Sequence, residues 1–226
     1  MKLLLFDIDG TLLLSGGAGK RAMNRAFAQL YGFDEILDGI SLSGRTDNTI
    51  MKDAYVRANV DFSDEELQRF KTLYFELIKE EMQQDAPDKR LMPGVDTLLP
   101  MLAEREDVHM GLLTGNWETS GRTKINFFGL NSYFPFGAFS DDSAIRDELV
   151  PVALQRFRTS TQMEIDPRDV YVIGDTPADI QCAKPHGVVS VAVAAASHSA
   201  DVLQPFEPDV LLNDLSDTEA MLNLLG

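Results

Sequence analysis

Four short apolar runs, separated by stretches with helical periodicity, constrain this chain more than any other feature. They are Lys2 to Asp7 (KLLLFD), Val108 to Thr114 (VHMGLLT), Val170 to Asp175 (VYVIGD) and Val188 to Val193 (VVSVAV), with Phe136 to Phe139 (FGAF) a weaker fifth. Near-continuous apolar strands alternating with helices predict an α/β fold: a doubly wound parallel sheet covered on both faces. Three of the runs end in Asp7, Thr114 and Asp175. Open sheets of this kind bind ligands at the carboxyl ends of their strands, so these polar ends are expected to converge on one crevice.

Between about Gly16 and Arg90 the pattern changes to amphipathic helices with no clear strand. Ser63-Asp-Glu-Glu66 reads as a capping box, and Leu67, Phe70, Tyr74, Leu77 and Ile78 follow it on one helical face. Upstream, Met23, Phe27 and Leu30 form a second stripe that Gly32 closes. These helices predict a small cap domain over residues 15–92, inserted into a core made of 1–14 and 93–226. Its hinges fall near Ser15-Gly16-Gly17 and Met92-Pro93-Gly94. The acidic stretch after Asp201 reads as a strand tip and a short closing helix, with no chemistry assigned.

A formal charge of −16 repels nucleic acid and anionic membranes, which excludes both as expected partners. It also repels a phosphorylated metabolite, so a phosphate site here requires a bound cation and positioned basic groups. One cysteine, Cys182, leaves no internal disulfide, and packing is its expected role. No apolar run is long enough to span a bilayer, and the N-terminus lacks the pattern of a signal sequence, so a cytoplasmic protein is expected.

Asp7-Ile-Asp9-Gly10-Thr11 directly follows the first strand. Residues two apart on an extended backbone face one side, so both carboxylates can enter one pocket. They repel unless a cation lies between them or one is protonated; either state suits a nucleophile beside a proton shuttle. The plain alternative is an acidic turn capping a strand. Gly174-Asp175-Thr176-Pro177-Ala178-Asp179 repeats the design. Thr176 is a natural N-cap and Pro177 a natural first helical residue, which puts Asp179 in the first turn beside Asp175. Asp179 could equally serve only the helix dipole. Four carboxylates at two strand ends suit Mg²⁺, a hard cation that also grips phosphate; Ca²⁺ fits phosphoryl transfer less well. Thr114-Gly115-Asn116 adds a hydroxyl, an accessible backbone and an amide for phosphate oxygens.

Together these segments resemble the haloacid dehalogenase superfamily, in its phosphoglycolate phosphatase-like branch with a helical cap. Asp7-x-Asp9-Gly10-Thr11 resembles the first family motif, Thr114 the second, and Gly174-Asp175 with Asp179 the fourth. The resemblance implies a phosphoaspartyl intermediate on Asp7, with Asp9 protonating the leaving alkoxide and then activating water. It also implies Mg²⁺ held by Asp7, the Asp9 backbone carbonyl and Asp175, with Asp179 in support, and substrate contacts from Gly10, Thr11, Gly115 and Asn116. The third motif departs from the family, which places a Lys ahead of the fourth; no lysine lies between Asp141 and Asp175. Arg146 is the expected substitute, since a guanidinium is always charged and binds phosphate through two points. The alternative is a solvated Arg paired with Asp142 or Glu148. Arg156, Arg158 and Arg168 are weaker candidates.

Gly16-Gly-Ala-Gly19-Lys20 fails as a Walker motif because Leu14 and Arg21 break the pattern, although Lys20 could still face a substrate. Arg45, in Ser43-Gly44-Arg45-Thr46-Asp47, resembles the basic residue that related caps aim at the active site. A surface helix start capped by Asp47 is its plain alternative. His109, His186 and His198 show no metal spacing, and Trp117 either lines the cleft or packs. The expectation is a Mg²⁺-dependent phosphatase acting on a small phosphate monoester such as phosphoglycolate, as a monomer or homodimer. A phosphomutase on the same scaffold is the main rival. A dehalogenase is disfavoured by Asp9, and a non-catalytic regulator by the intact first motif.

Overall fold

The computed structural model describes all 226 residues. In chain order its strands are β1 (Lys2–Phe6), β2 (Leu13–Ser15), β3 (Lys89–Leu91), β4 (Val108–Leu113), β5 (Gly137–Ala138), β6 (Val170–Gly174), β7 (Val189–Val193) and β8 (Val210–Leu212). The helices are α1 (Ala18–Tyr31), α2 (Asp47–Ala58), α3 (Asp64–Gln83), α4 (Val95–Ala103), α5 (Glu118–Phe127), α6 (Leu149–Thr161), α7 (Pro177–Ala183), α8 (Ala200–Leu203) and α9 (Thr218–Leu225). None of them is long and apolar enough to cross a membrane.

Six strands form one parallel sheet in the order β5-β4-β1-β6-β7-β8. β1 lies inside it and explains why its sequence is uniformly apolar. Leu4 and Phe6 point to one face, against Leu98, Leu99 and Leu102 of α4, Ile125 of α5 and Met221 of α9. Leu3 and Leu5 point to the other, against Leu149, Ala153 and Phe157 of α6 and Cys182 of α7. A strand covered on both faces has no side left for polar residues. Because β4, β1 and β6 are neighbours, the residues that follow them emerge side by side.

Helices α1, α2 and α3 gather around an apolar cluster of their own, which includes Met23, Phe27, Ile50, Tyr55, Phe70, Tyr74 and Ile78. Trp117, from the turn before α5, is fully buried in that same cluster, so it packs rather than lining a cleft. The chain enters and leaves this helical segment through β2 and β3, which pair antiparallel with Leu13 opposite Leu91. The sequence shows no strand there because three residues carry no readable alternation. β8, foreseen only as a strand tip, completes the sheet edge. The box expected at Ser63 is half formed: Ser63 accepts from the Glu66 N–H, while the Glu66 carboxylate accepts instead from the Tyr31 hydroxyl.

Candidate active site

Asp7 follows β1, Thr114 follows β4 and Asp175 follows β6, and adjacent strands therefore deliver all three to one place. One carboxylate oxygen from each of Asp7, Asp175 and Asp179 lies within 4.8 Å of the others. Arg146 reaches the same point from the turn that leads into α6. Its Nη2 lies 3.1 Å from Asp7 Oδ1 and donates to Asp179 Oδ1, and the residue is 9% exposed. Asp142, which could have drawn Arg146 to the surface, is bound by Arg156 instead. Arg158 pairs with Glu164 and Arg168 with Asp166, both at the surface.

Asp179 has both oxygens engaged. One takes Arg146; the other accepts from the Thr176 N–H at 3.1 Å and the Thr176 hydroxyl at 2.7 Å, completing a capping box on α7. Asp179 therefore anchors Arg146 and the start of α7, and a metal would meet it with its oxygens already occupied. Gly174 must lack a side chain, since a Cβ would fall 2.0 Å from the Asp179 carboxyl carbon. Gly10 has the same constraint against Asp175, with a φ of +88° besides. Burial pushes Asp7 up to about 7; Arg146 opposes the shift while Asp179, Asp175 and Asp9 add to it. Burial, with Asp179 nearby, pushes Asp175 up to about 6.

Asp9 faces a second network. Its Oδ2 accepts from Lys124 Nζ at 2.6 Å and from Asn116 Nδ2 at 2.9 Å. Asn116 also donates to the Thr114 hydroxyl at 2.8 Å and accepts from Lys124 at 2.7 Å. Its amide thus holds Asp9, Thr114 and Lys124 in place at the edge of the cavity that Asn116 itself lines. Thr114 Oγ1 accepts twice, from Asn116 Nδ2 and the Asn116 N–H, so its own proton is free to point into the cavity. Lys124 is the residue that sequence reasoning missed. The signal was a lysine on the same face of α5 as Ser120, Gly121 and Ile125, a stripe that the fold buries.

Several other expectations need correction. Gly10 and Thr11 do not line the cavity, because the tight turn after β1 commits their N–H groups to the carbonyls of Leu13 and Ile8. Gly115 does line it, but its missing side chain makes room for the Arg45 carbonyl, which a Cβ would approach to 2.1 Å. The Arg45 guanidinium turns away from Asp7 onto Asp53 and the Thr49 carbonyl. Lys20 borders the cavity with its ammonium on Asp38, 2.6 Å away. Asp47 is no surface cap: Thr46 caps α2, and Asp47 is buried, accepting the Trp117 N–H at 2.8 Å. Burial pushes its carboxyl up to about 6 against the pull of Lys124. His198 and Ser197 reach the site unforeseen, the first on the Asp175 carbonyl at 3.2 Å and the second donating its N–H to Asp175 Oδ2.

Asp7, Asp9, Thr114, Asn116, Lys124 and Arg146 line a cavity of about 300 Å³ between the sheet ends and the helical segment. Residues 4–193 match the profile of the haloacid dehalogenase-like hydrolases. The chain belongs to that family. Among curated members it is 28% identical to validoxylamine A 7'-phosphate phosphatase of Streptomyces hygroscopicus subsp. limoneus, over 96% of this chain and 95% of the relative. It is 23% identical to pyrophosphatase PpaX of Bacillus pumilus, over 97% and 95%. In structure it resembles a predicted phosphoglycolate phosphatase from Haemophilus somnus 129PT, with a TM-score of 0.72 at 18% identity, covering 98% of each chain.

Haloacid dehalogenase-like phosphatases generally use Mg²⁺. The donors in this chain fit such an ion. Asp175 Oδ1 is buried without any hydrogen-bond partner, and Asp7 keeps an oxygen for the cavity beyond the one facing Arg146. A buried carboxylate oxygen left unpaired is costly unless a cation meets it.

Proposed function

We propose that this hydrolase is a Mg²⁺-dependent phosphatase of a small phosphate monoester. The observation that carries the reading is Asp7 itself: a carboxylate at the end of β1, facing the cavity, with a guanidinium 3.1 Å away. Asp7 and Asp175, with the Asp9 backbone, would hold Mg²⁺, which when bound neutralises phosphate charge and keeps the nucleophile ionised.

In the first step an Asp7 oxygen bonds to phosphorus as the ester P–O bond breaks, and Asp9 gives its proton to the departing alkoxide. Lys124 and Asn116 hold Asp9 by Oδ2, which leaves Oδ1 for that transfer. In the second step Asp9 takes a proton from water, whose oxygen bonds to phosphorus while the Asp7–phosphorus bond breaks. Arg146 and the free Thr114 proton would stabilise charge on the transferring oxygens. Helices α1 to α3 act as a cap over residues 15–92 that excludes bulk water. Three groups support a closed state: Thr46 donates to the Ala144 carbonyl, the Asp47 N–H donates to the Gly115 carbonyl at 2.7 Å, and Lys71 pairs with Asp141.

The test is a panel of phosphorylated metabolites assayed with Mg²⁺ and with chelator, with product analysis. Release of inorganic phosphate that stops in chelator and returns with Mg²⁺ is expected. Full activity in chelator overturns the metal assignment, and return of the phosphoryl group to a sugar makes the protein a phosphomutase.

A further inference from the structure

Two donors face the cavity with hydrogen-bonding capacity that the chemistry above leaves unused. Tyr74, on α3, is fully buried and lines the cavity, yet its hydroxyl has no hydrogen-bond partner. Its ring is accounted for by stacking on Phe70 and by an edge contact with Trp117, both of which phenylalanine would satisfy. The nearby Ser120 hydroxyl donates to the Trp117 carbonyl. Lys124 has three N–H bonds, and Asp9 and Asn116 take two. Both donors face Gly19 in the first turn of α1, where a Cβ would lie 3.4 Å from Lys124 Nζ and 3.9 Å from the Tyr74 oxygen. The Gly19 backbone does not lie in the left-handed region, so its conformation does not call for glycine. Gly19, Tyr74 and Lys124 all line the cavity, so the two donors have its open space before them.

Building on the phosphatase reading, we propose that Tyr74 and Lys124 form a binding site for an uncharged hydroxyl of the leaving group, making the substrate a phosphorylated polyol or sugar. A second anion fits poorly here. Asp47 stands close to Lys124, and the other cations on the wall are each held by a carboxylate: Lys20 by Asp38, Arg45 by Asp53, and Arg146 by Asp7 and Asp179. A hydroxyl accepts from Tyr74 or Lys124 and donates to a carboxylate, so it satisfies both kinds of neighbour. A bare hydrocarbon would leave the two donors buried and unpaired. Burial keeps the Tyr74 phenol protonated and therefore a donor.

The experiment compares three phosphates of equal chain length: a hexitol 6-phosphate, hexyl phosphate, and 6-phosphonooxyhexanoate, which ends in a carboxylate. Wild-type kcat/KM should be about tenfold or more higher for the hexitol ester than for either of the others. Tyr74→Phe should lower it about tenfold for the hexitol ester, leave hexyl phosphate unchanged and not lower Tm. Calorimetry on Asp7→Asn protein with Mg²⁺ gives a readout independent of turnover, since adding Tyr74→Phe should weaken hexitol phosphate binding about tenfold. Equal effects on all three esters, or preference for the carboxylate, overturns the proposal. If wild type turns over none of them, the phosphatase reading fails, and the calorimetric pair still decides the site.

Discussion

At the scale of single residues, Arg146 is placed between a carboxylate that would attack phosphorus and another that fixes its own direction. Arg146→Ala should lower kcat about a hundredfold, the scale seen when a charge-stabilising donor is lost, measured with saturating Mg²⁺ and unchanged circular dichroism. Arg146→Lys should recover only part, because a shorter side chain ending in a single-point ammonium cannot reproduce the geometry of a guanidinium fork. Arg158→Ala should change neither, since Arg158 is exposed and pairs only with Glu164. A second prediction concerns pH. Asp7, Asp175 and Asp47 are pushed up to about 7, 6 and 6, so the folded metal-free protein binds more protons than the unfolded chain between about pH 4 and 7. Their contribution is fully present below the unfolded value and lost as pH rises through the folded ones. In chelator, the denaturation midpoint should therefore rise as pH falls from 7.5 to 5. Asp7→Asn should flatten that slope, and an equal slope in the variant would contradict the assignment. The aspartates were legible because short motifs put them at strand ends. Lys124 was not, because its partner Asp9 lies 115 positions away and a helical lysine ordinarily points to water. Arg45 looked functional for its neighbourhood, but Asp53, further along α2, captures it.

At the scale of elements, α5 begins where the helical segment meets the core. Its N-cap, Trp117, donates its backbone N–H to Asp47 and its indole N–H to Asn48 Oδ1, each at 2.8 Å. Asn48 also donates to the Ser140 carbonyl. Asn48→Ala should cost about 1–3 kcal/mol in chemical denaturation, because it leaves the indole N–H buried and unpaired. Trp117 is the only tryptophan, so its emission reports on this junction, and a red shift in Asn48→Ala is expected. An unchanged spectrum and midpoint would show that the junction does not depend on Asn48. The long strands and the α3 stripe were legible because burial on two faces, or on one, leaves a strong apolar pattern. β2, β3 and β8 were not, being three residues each and set by partners distant in sequence.

At the scale of the whole molecule, a chain with a formal charge of −16 would have to gather the proposed anionic substrate in a cavity walled by two parts of the fold. Net charge opposes that substrate, so the site must supply positive charge locally, through Arg146 and a bound cation. The arrangement follows from topology: an inserted helical segment places α1 to α3 opposite the ends of β4, β1 and β6, and the chain crosses between them at β2 and β3. The central claim is that Asp7 is phosphorylated during turnover, and chemical trapping tests it most directly. Wild-type protein turning over a phosphate ester with Mg²⁺ is quenched in acid and reduced with borohydride, which converts an aspartyl phosphate to homoserine. Peptide mass spectrometry should find homoserine at position 7 alone, and none without substrate. Steady turnover with an unmodified Asp7, or with the label on another residue, would contradict the account.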